Sequence, residues 1–412
     1  MAETFKRAEL SNGLRIVAEV DPAAHTASAG FFVKTGTRDE ALQDMGVSHF
    51  LEHMMFKGTE RRSAEDINRE FDAMGARSNA YTSSEMTAFY AAVLPEKLSE
   101  ATDVLADMMR PALREEDFQT EKGVILEEIA MYKDEPTWVL YESAMESYFA
   151  AHPLGYRVLG TTQSITDLRS DRMREYFVQR YSADNTVVAL AGKVDFDGAV
   201  AQIEKLCGHW QRTKAGRDAT APRVVGGEMT IEDAKVSRAY RMMIAPGPHE
   251  KDDRRYTAFV MTQLLGAPDN SRLHWALIET GLAEEAEVSS DPKDGTGDTR
   301  VLVACEPDRL EEVWGIVEKE IVGLASVISE EDVRRVRAKA ATGVTLAGER
   351  PEGRMHRLGR QMLTQGTYTT LREELDKIER VTVKDVRELL EAMPMHSGAP
   401  GRLIATLKPA AG

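Results

Sequence analysis

Within residues 49–53 the chain reads His49-Phe50-Leu51-Glu52-His53. On a helix each residue advances about 100°, so His49 and His53 lie one turn apart, about 40° around a single face. Glu52 falls about 60° to the other side of His49, and all three share an arc of roughly 100°. Two imidazoles at that spacing can grip one metal ion and leave a carboxylate beside it to work on a bound water. The order reverses the H-E-x-x-H arrangement, with the acid moved to the other side of the same arc. Two histidines on a helix can equally be ordinary packing residues, so the metal reading requires a third ligand.

That ligand is expected on a second helix, over residues 115–133. Taking Phe118 as 0°, Ile125, Ile129 and Tyr132 fall within about 40° of it and form a buried stripe. Glu121 and Glu128 lie together on the flank of the stripe, at roughly −60° to −80°, while Glu127 points away into solvent. Carboxylates at the margin of a buried stripe are costly unless they are paired or metal-bound. Either Glu128 or Glu121 can supply the third ligand, with its neighbour hydrogen-bonding a ligand histidine.

The elements that must position these groups follow from pattern and turn chemistry. Residues 5–20 read as two strands around Asn12-Gly13, and residues 27–34 as a third. A loop over 38–46 delivers the chain to the His49 helix. A helix over 63–74 opens on a capping box, Ser63-Ala64-Glu65-Asp66, and stops at Gly75. Residues 78–90 form two polar, β-prone strands about a short turn, which suits an exposed sheet edge where an extended peptide could add as one more strand. Helices are expected over 95–109, 143–149, 171–180 and 197–210, with a strand over 186–191. His152, before Pro153 in a loop, reads as structural.

Residues 211–227 are polar, rich in Lys, Arg, Gly and Pro, and without periodicity: a linker. Beyond it the plan recurs, with strands over 228–244, a helix over 251–265, strands over 288–306, and helices over 308–325, 329–347 and 381–393. The expected architecture is α+β, with two related α/β-sandwich halves of about 200 residues, each an antiparallel-rich sheet with helices packed on one side. Residues 1–210 form the metal-binding half and 228–412 a half without a counterpart of the His49 helix.

Composition bounds the partners. Of 412 residues, 42% are hydrophobic and 29% charged, the balance of a globular protein with a substantial core. The net charge of −16 disfavours nucleic acid and anionic membranes, and suits basic peptides if the acids line a cavity. Cys207 and Cys305 stand far apart, outside any C-x-x-C pattern, and read as buried thiols of a reducing compartment. No apolar run follows the first charges and none approaches the ~20 residues of a membrane span, so the cytoplasm is the expected location.

Several motifs together resemble one known family. Gly36-Thr37-Arg38-Asp39-Glu40, then Gly46-Val47-Ser48-His49-Phe50-Leu51-Glu52-His53-Met54-Met55-Phe56-Lys57-Gly58-Thr59, resemble the pitrilysin and mitochondrial processing peptidase family of inverted-motif zinc peptidases. Asn79-Ala80-Tyr81-Thr82 and Glu121-Lys122-Gly123-Val124-Ile125-Leu126-Glu127-Glu128-Ile129 match its next two signatures. The resemblance runs in order to about Gly192 and more weakly beyond. It implies a Zn2+ ion held by His49, His53 and Glu128, with Glu52 as general base and Glu121 in support. It also implies two homologous halves closing as a clam-shell, chains that pair, and cleavage of extended or unfolded peptides held along Asn79 and Ala80.

One departure bears on partners. Many members of that family carry an Arg and a Tyr seven residues apart in the second half, at a segment like residues 271–284. Here those positions hold Leu277 and Glu284, although Arg272 remains nearby as a substrate-binding candidate. The implied assembly is a homodimer or a heterodimer with a paralogous chain that completes the substrate site. The alternative from another class is a non-catalytic structural or peptide-binding subunit; such subunits tend to lose metal ligands, and all four reactive positions are present here.

Overall fold

A computed structural model describes residues 4–410. The chain runs β1 (Thr4–Glu9), β2 (Arg15–Val20), β3 (Ala27–Val33), α1 (Val47–Met55), α2 (Ala64–Ala73), β4 (Arg77–Thr82), β5 (Thr87–Val93), α3 (Leu98–Met108), α4 (Glu115–Tyr132), α5 (Pro136–Phe149), α6 (Thr162–Asp167), α7 (Ser170–Arg180), β6 (Thr186–Gly192) and α8 (Phe196–Cys207). There follow β7 (Gly227–Asp233), β8 (Ala239–Pro246), α9 (Arg254–Gly266), β9 (Glu285–Lys293), β10 (Thr296–Cys305), α10 (Leu310–Val327), α11 (Glu330–Glu349), α12 (Pro351–Thr364), α13 (Leu371–Glu379), α14 (Val383–Ala392) and β11 (Leu403–Pro409). The expected strands and helices are present, α5 beginning at Pro136 where the pattern places a helix only over 143–149. Sequence pattern does not resolve α6, α12, α13 or β11.

Two compact units divide the chain. The first comprises Met1–Ala130, Tyr156–Asp218 and Thr345–Thr369; the second comprises Met131–Gly155, Ala219–Val344 and Thr370–Gly412. They are therefore interleaved, where the sequence suggested contiguous halves over 1–210 and 228–412. The reason lies in two helices. In the first unit α12 lays Met355, Leu358, Met362 and Leu363 against Val17, Phe32, Ala88, Val187, Ala189 and Ala191 of the sheet. In the second, α5 lays Leu140, Ala144, Met145, Tyr148 and Phe149 against Met242, Ile244, Leu302, Leu403, Ala405 and Leu407. Each sheet exposes an apolar second face that its own neighbouring helices leave open, and a helix from the other half of the sequence covers it. The two-half α+β plan stands, with this exchanged helix as an addition to the one-sided helix layer.

The first sheet has strand order β1-β2-β6-β3-β5-β4, antiparallel except for the parallel β2–β6 pair. Its central strand β3 is buried along its whole length and accordingly reads as an apolar run, Ala-Ser-Ala-Gly-Phe-Phe-Val. The second sheet repeats the plan with order β7-β11-β8-β10-β9 and one parallel pair, β7–β11. Its other face carries the larger core, where Met243, Ala245, Val301 and Val303 meet Leu264, Leu265, Val313, Val317 and Val386.

β4 lies at the edge of the first sheet, as the polar sequence over 78–90 suggested. Its hairpin closes with Ser83 N–H donating to the Met86 carbonyl at 2.8 Å. Alternation from that bond turns the backbone groups of Ser78, Ala80 and Thr82 outward, away from β5. The same alternation places the Ala80 and Thr82 side chains on the face opposite α12, since Tyr81 pairs with Ala88 and Ala88 packs under α12.

Candidate metal centre

α1 begins where the chain turns through Gly46, whose φ of 94° lies in the left-handed region. A Cβ at that position would stand 2.8 Å from the Leu159 carbonyl oxygen, so both conformation and space require glycine. Two N–H groups at the helix start are taken by buried Glu40: Gly46 N–H donates to its Oε2 and Ser48 N–H to its Oε1, each at 2.8 Å. Ser48 Oγ lies 2.9 Å from the Tyr176 hydroxyl, which lies 2.8 Å from Thr35 Oγ1. Burial pushes the Glu40 carboxyl up to about 7, against the pull of the two N–H groups.

α1 is fixed against α4 by apolar contact. Phe50 stacks on Phe118 with centroids 4.7 Å apart and 17° between planes. The expected stripe on α4 is observed for Phe118, Ile125 and Ile129, which are buried, while Tyr132 at its end is only half-buried; Glu121 beside them is also buried, and Glu127 is exposed. Two short segments are thereby brought side by side with their polar flanks facing.

In that gap His49 Nε2 lies 3.8 Å and His53 Nε2 3.6 Å from Glu128 Oε2. Such separations are too long for hydrogen bonds. They are close to the ~3.3–3.6 Å that separates donors bound at ~2.0–2.2 Å to one tetrahedral ion. One donor atom from each of the three residues lies within 4.8 Å of the others. His53 Nδ1 sits 3.1 Å from Glu121 Oε2, an arrangement that leaves the Nε2 lone pair free, and Lys57 Nζ sits 2.5 Å from Glu121 Oε1. Glu128, and not Glu121, is the carboxylate that faces the Nε2 pair. Burial, with the neighbouring His53 second, lowers the His49 pKa to about 3. It is neutral at ordinary pH and its lone pair is available. Two imidazole nitrogens, one carboxylate oxygen and a carboxylate-held histidine fit a zinc ion with an open fourth position.

Glu52 stands beside this cluster. Its Oε2 accepts a hydrogen bond from Thr82 Oγ1 at 2.6 Å, which ties α1 to the edge strand β4. Burial raises its pKa, with the Thr82 bond and the charge of His53 opposing and the charge of Glu128 adding to the rise. Burial likewise raises the Glu128 carboxyl, against the charge of His53.

Asn79 and Ala80 lie on β4, where the Ala80 N–H is met by the Asn79 Oδ1 at 2.9 Å. Arg272 belongs to the second unit, paired with Glu320 at 2.5 Å in a cleft of about 490 Å³ that Trp275 and Asn270 also line. Leu277 is fully buried in the core of that unit, and Glu284 pairs with Arg238 at 2.6 Å. Both cysteines are buried and free. Sequence reasoning passed over Glu40, Lys57 and Thr82. Thr82 had a signal: it is two residues from Ala80 and so on the same strand face.

Comparison with known proteins agrees with this geometry. Residues 15–162 match the family model described as Insulinase (Peptidase family M16), and residues 167–340 match that of the Peptidase M16 inactive domain. An uncharacterized zinc protease of Mycobacterium tuberculosis is 34% identical, over 92% of this chain and 89% of its own length. The uncharacterized zinc protease YmxG of Bacillus subtilis is 29% identical, over 93% and 94%. In fold, the crystal structure of a protease from Helicobacter pylori superposes with a TM-score of 0.92 at 18% identity, covering 99% of this chain and all of that one. The chain belongs to peptidase family M16.

Proposed function

We propose that this chain is a zinc-dependent endopeptidase that hydrolyses extended or unfolded peptides, with His49, His53 and Glu128 as ligands and Glu52 as general base. The observation that carries the reading is the convergence of His49 Nε2, His53 Nε2 and Glu128 Oε2 beside a half-buried Glu52. A zinc ion bound there supplies Lewis acidity, lowering the pKa of its water towards ~7 and polarising the scissile carbonyl. Glu52 takes the proton of the attacking water and passes it to the leaving amine, a role suited by a pKa raised through burial. Thr82 holds one oxygen of Glu52 and leaves the other free for that transfer. Glu121 keeps the proton of His53 on Nδ1, with Lys57 balancing its charge.

The outward backbone groups of Ser78, Ala80 and Thr82 offer a peptide one more antiparallel partner, on the strand that also carries the Glu52 contact. Asn79 and Ala80 would hold its backbone in register. For the chain's location we propose the cytoplasm; among the described residues no helix is long and apolar enough to cross a membrane.

A pairing with a second chain completes the proposal. Leu277 and Glu284, one in the core and one in an ion pair, occupy the positions where the family resemblance places a substrate-fixing Arg and Tyr. A paralogous partner, or a second copy of this chain, would supply what is missing, with Arg272 contributing nearby.

The test is metal content together with cleavage of a quenched peptide library by wild type and Glu52→Gln. A zinc-loaded wild type that cleaves, beside a zinc-loaded but silent variant, is expected. Equal cleavage by both would remove Glu52 from the mechanism, and a zinc-loaded wild type that binds peptides without turnover would favour the non-catalytic subunit.

A further inference from the structure

Residues 211–218 form neither helix nor strand, and composition marks them as a linker. Yet the side chain of Arg217 is only 3% exposed. Its Nε donates to Asp39 Oδ1 at 3.0 Å, and its Nη2 donates to Asp39 Oδ2 and to the Glu85 carbonyl, the latter at 2.6 Å. Arg180 brackets the same Asp39 carboxylate at 2.6 Å and donates to the Gly216 carbonyl at 2.8 Å. Arg38 pairs with the Glu85 carboxylate at 2.7 Å and reaches the Asp218 carbonyl at 3.0 Å. Three guanidinium groups and two carboxylates thus form one buried cluster, and the linker supplies one of them.

What the cluster grips is the turn between β4 and β5. Arg38 N–H donates to the Ser84 carbonyl at 2.9 Å, and Gly36 packs so tightly that a Cβ would stand 2.2 Å from the Ser83 carbonyl oxygen. On one side of the turn Thr87 Oγ1 donates to the Thr35 carbonyl at 3.0 Å. On the other side is Thr82, whose hydroxyl holds Glu52. The chain leaves the first unit directly after this clasp, between Asp218 and Ala219.

We propose that Arg217 is a positioning residue for Glu52, holding the 83–86 turn so that Thr82 Oγ1 meets the carboxylate. This rests on the reading of Glu52 as the general base. The guanidinium is needed for its fork, because two directions, towards the Asp39 carboxylate and the Glu85 carbonyl, must be satisfied at once. Lysine keeps the charge but offers a compact ammonium in place of the planar fork. A purely structural ion pair would affect stability without acting through Thr82.

The experiment is a double-mutant cycle on the full-length zinc-loaded chain, with Arg217→Lys, Thr82→Val and both together, read as kcat and KM on a quenched peptide. Arg217→Gln is the more severe variant; Arg217→Lys retains the buried charge and keeps the test usable if the former does not fold. Arg217→Lys is expected to lower kcat about tenfold with KM nearly unchanged, and Thr82→Val to lower it about tenfold or more. The double variant is expected to be no slower than Thr82→Val alone. Amide exchange at residues 83–86 of the metal-free protein should quicken in Arg217→Lys. Multiplied losses in the double variant, a kcat equal to wild type in Arg217→Lys, or unchanged exchange at the turn would overturn the proposal. Failure of the underlying reading is seen separately, as wild type and Glu52→Gln of equal activity.

Discussion

Replacing Glu40 by glutamine probes how α1, and with it both histidines, is held. Glu40 is buried, and its two oxygens take the N–H groups of Gly46 and Ser48. Its carboxyl is pushed from 4.5 to about 7 because burial outweighs those two bonds. At about 1.4 kcal/mol per pH unit, that displacement corresponds to about 3 kcal/mol. The sign follows from linkage. A raised acid favours the folded state in its protonated form, so the contribution is complete below pH 4.5 and is lost as pH rises towards 7. Glutamine cannot titrate, and other groups, His49 included, are common to both proteins and cancel in the difference. Denaturant titrations of metal-free wild type and Glu40→Gln from pH 4 to pH 8 should therefore show the wild type losing about 3 kcal/mol relative to the variant, levelling off above pH 7. Below pH 4.5 the variant should be the less stable of the two, since its amide nitrogen faces one of the N–H donors. A gap that stays constant, or that moves in favour of the wild type as pH rises, would refute the reasoning. It would mean that the helix N-terminus stabilises the charge more than burial penalises it.

Two further outcomes follow from the same geometry. Glu121→Gln removes the charge that orients His53 and should weaken zinc affinity about 10- to 100-fold, measured by competition with a chelator, while secondary structure is unchanged. Leu277→Arg, which places a cation where the resemblance expects one, should lower thermal stability by several kcal/mol and not raise activity, because Leu277 lies in the core of the second unit; calorimetry and peptide cleavage check both parts.

How far sequence alone reached depended on whether the deciding interaction was local. The pairing of His49 with His53 and the flanking of the α4 stripe by Glu121 and Glu128 are matters of helical angle, so they were legible from spacing. Helical angle did not choose Glu128 over Glu121, because both carboxylates lie on the same flank; the family resemblance pointed to Glu128, and in the structure the approach of α1 through Phe50 and Phe118 separates the two. The swap of α5 and α12 between sheets was hidden for a similar reason. An amphipathic helix declares that it has a partner face, not which sheet provides it. Arg217 was the least legible of all: nothing in a polar, aperiodic stretch marks one arginine for burial, and its partners Asp39 and Glu85 stand far away in sequence.

The central claim is that one zinc ion sits between His49, His53 and Glu128. Zinc stoichiometry of the purified chain, measured by elemental mass spectrometry on wild type, His49→Ala, His53→Ala and Glu128→Gln after dialysis against a weak chelator, tests it directly. About one ion per chain in the wild type, with strong loss in all three variants, is the result this account requires. Full retention of zinc in His49→Ala or in Glu128→Gln would contradict it.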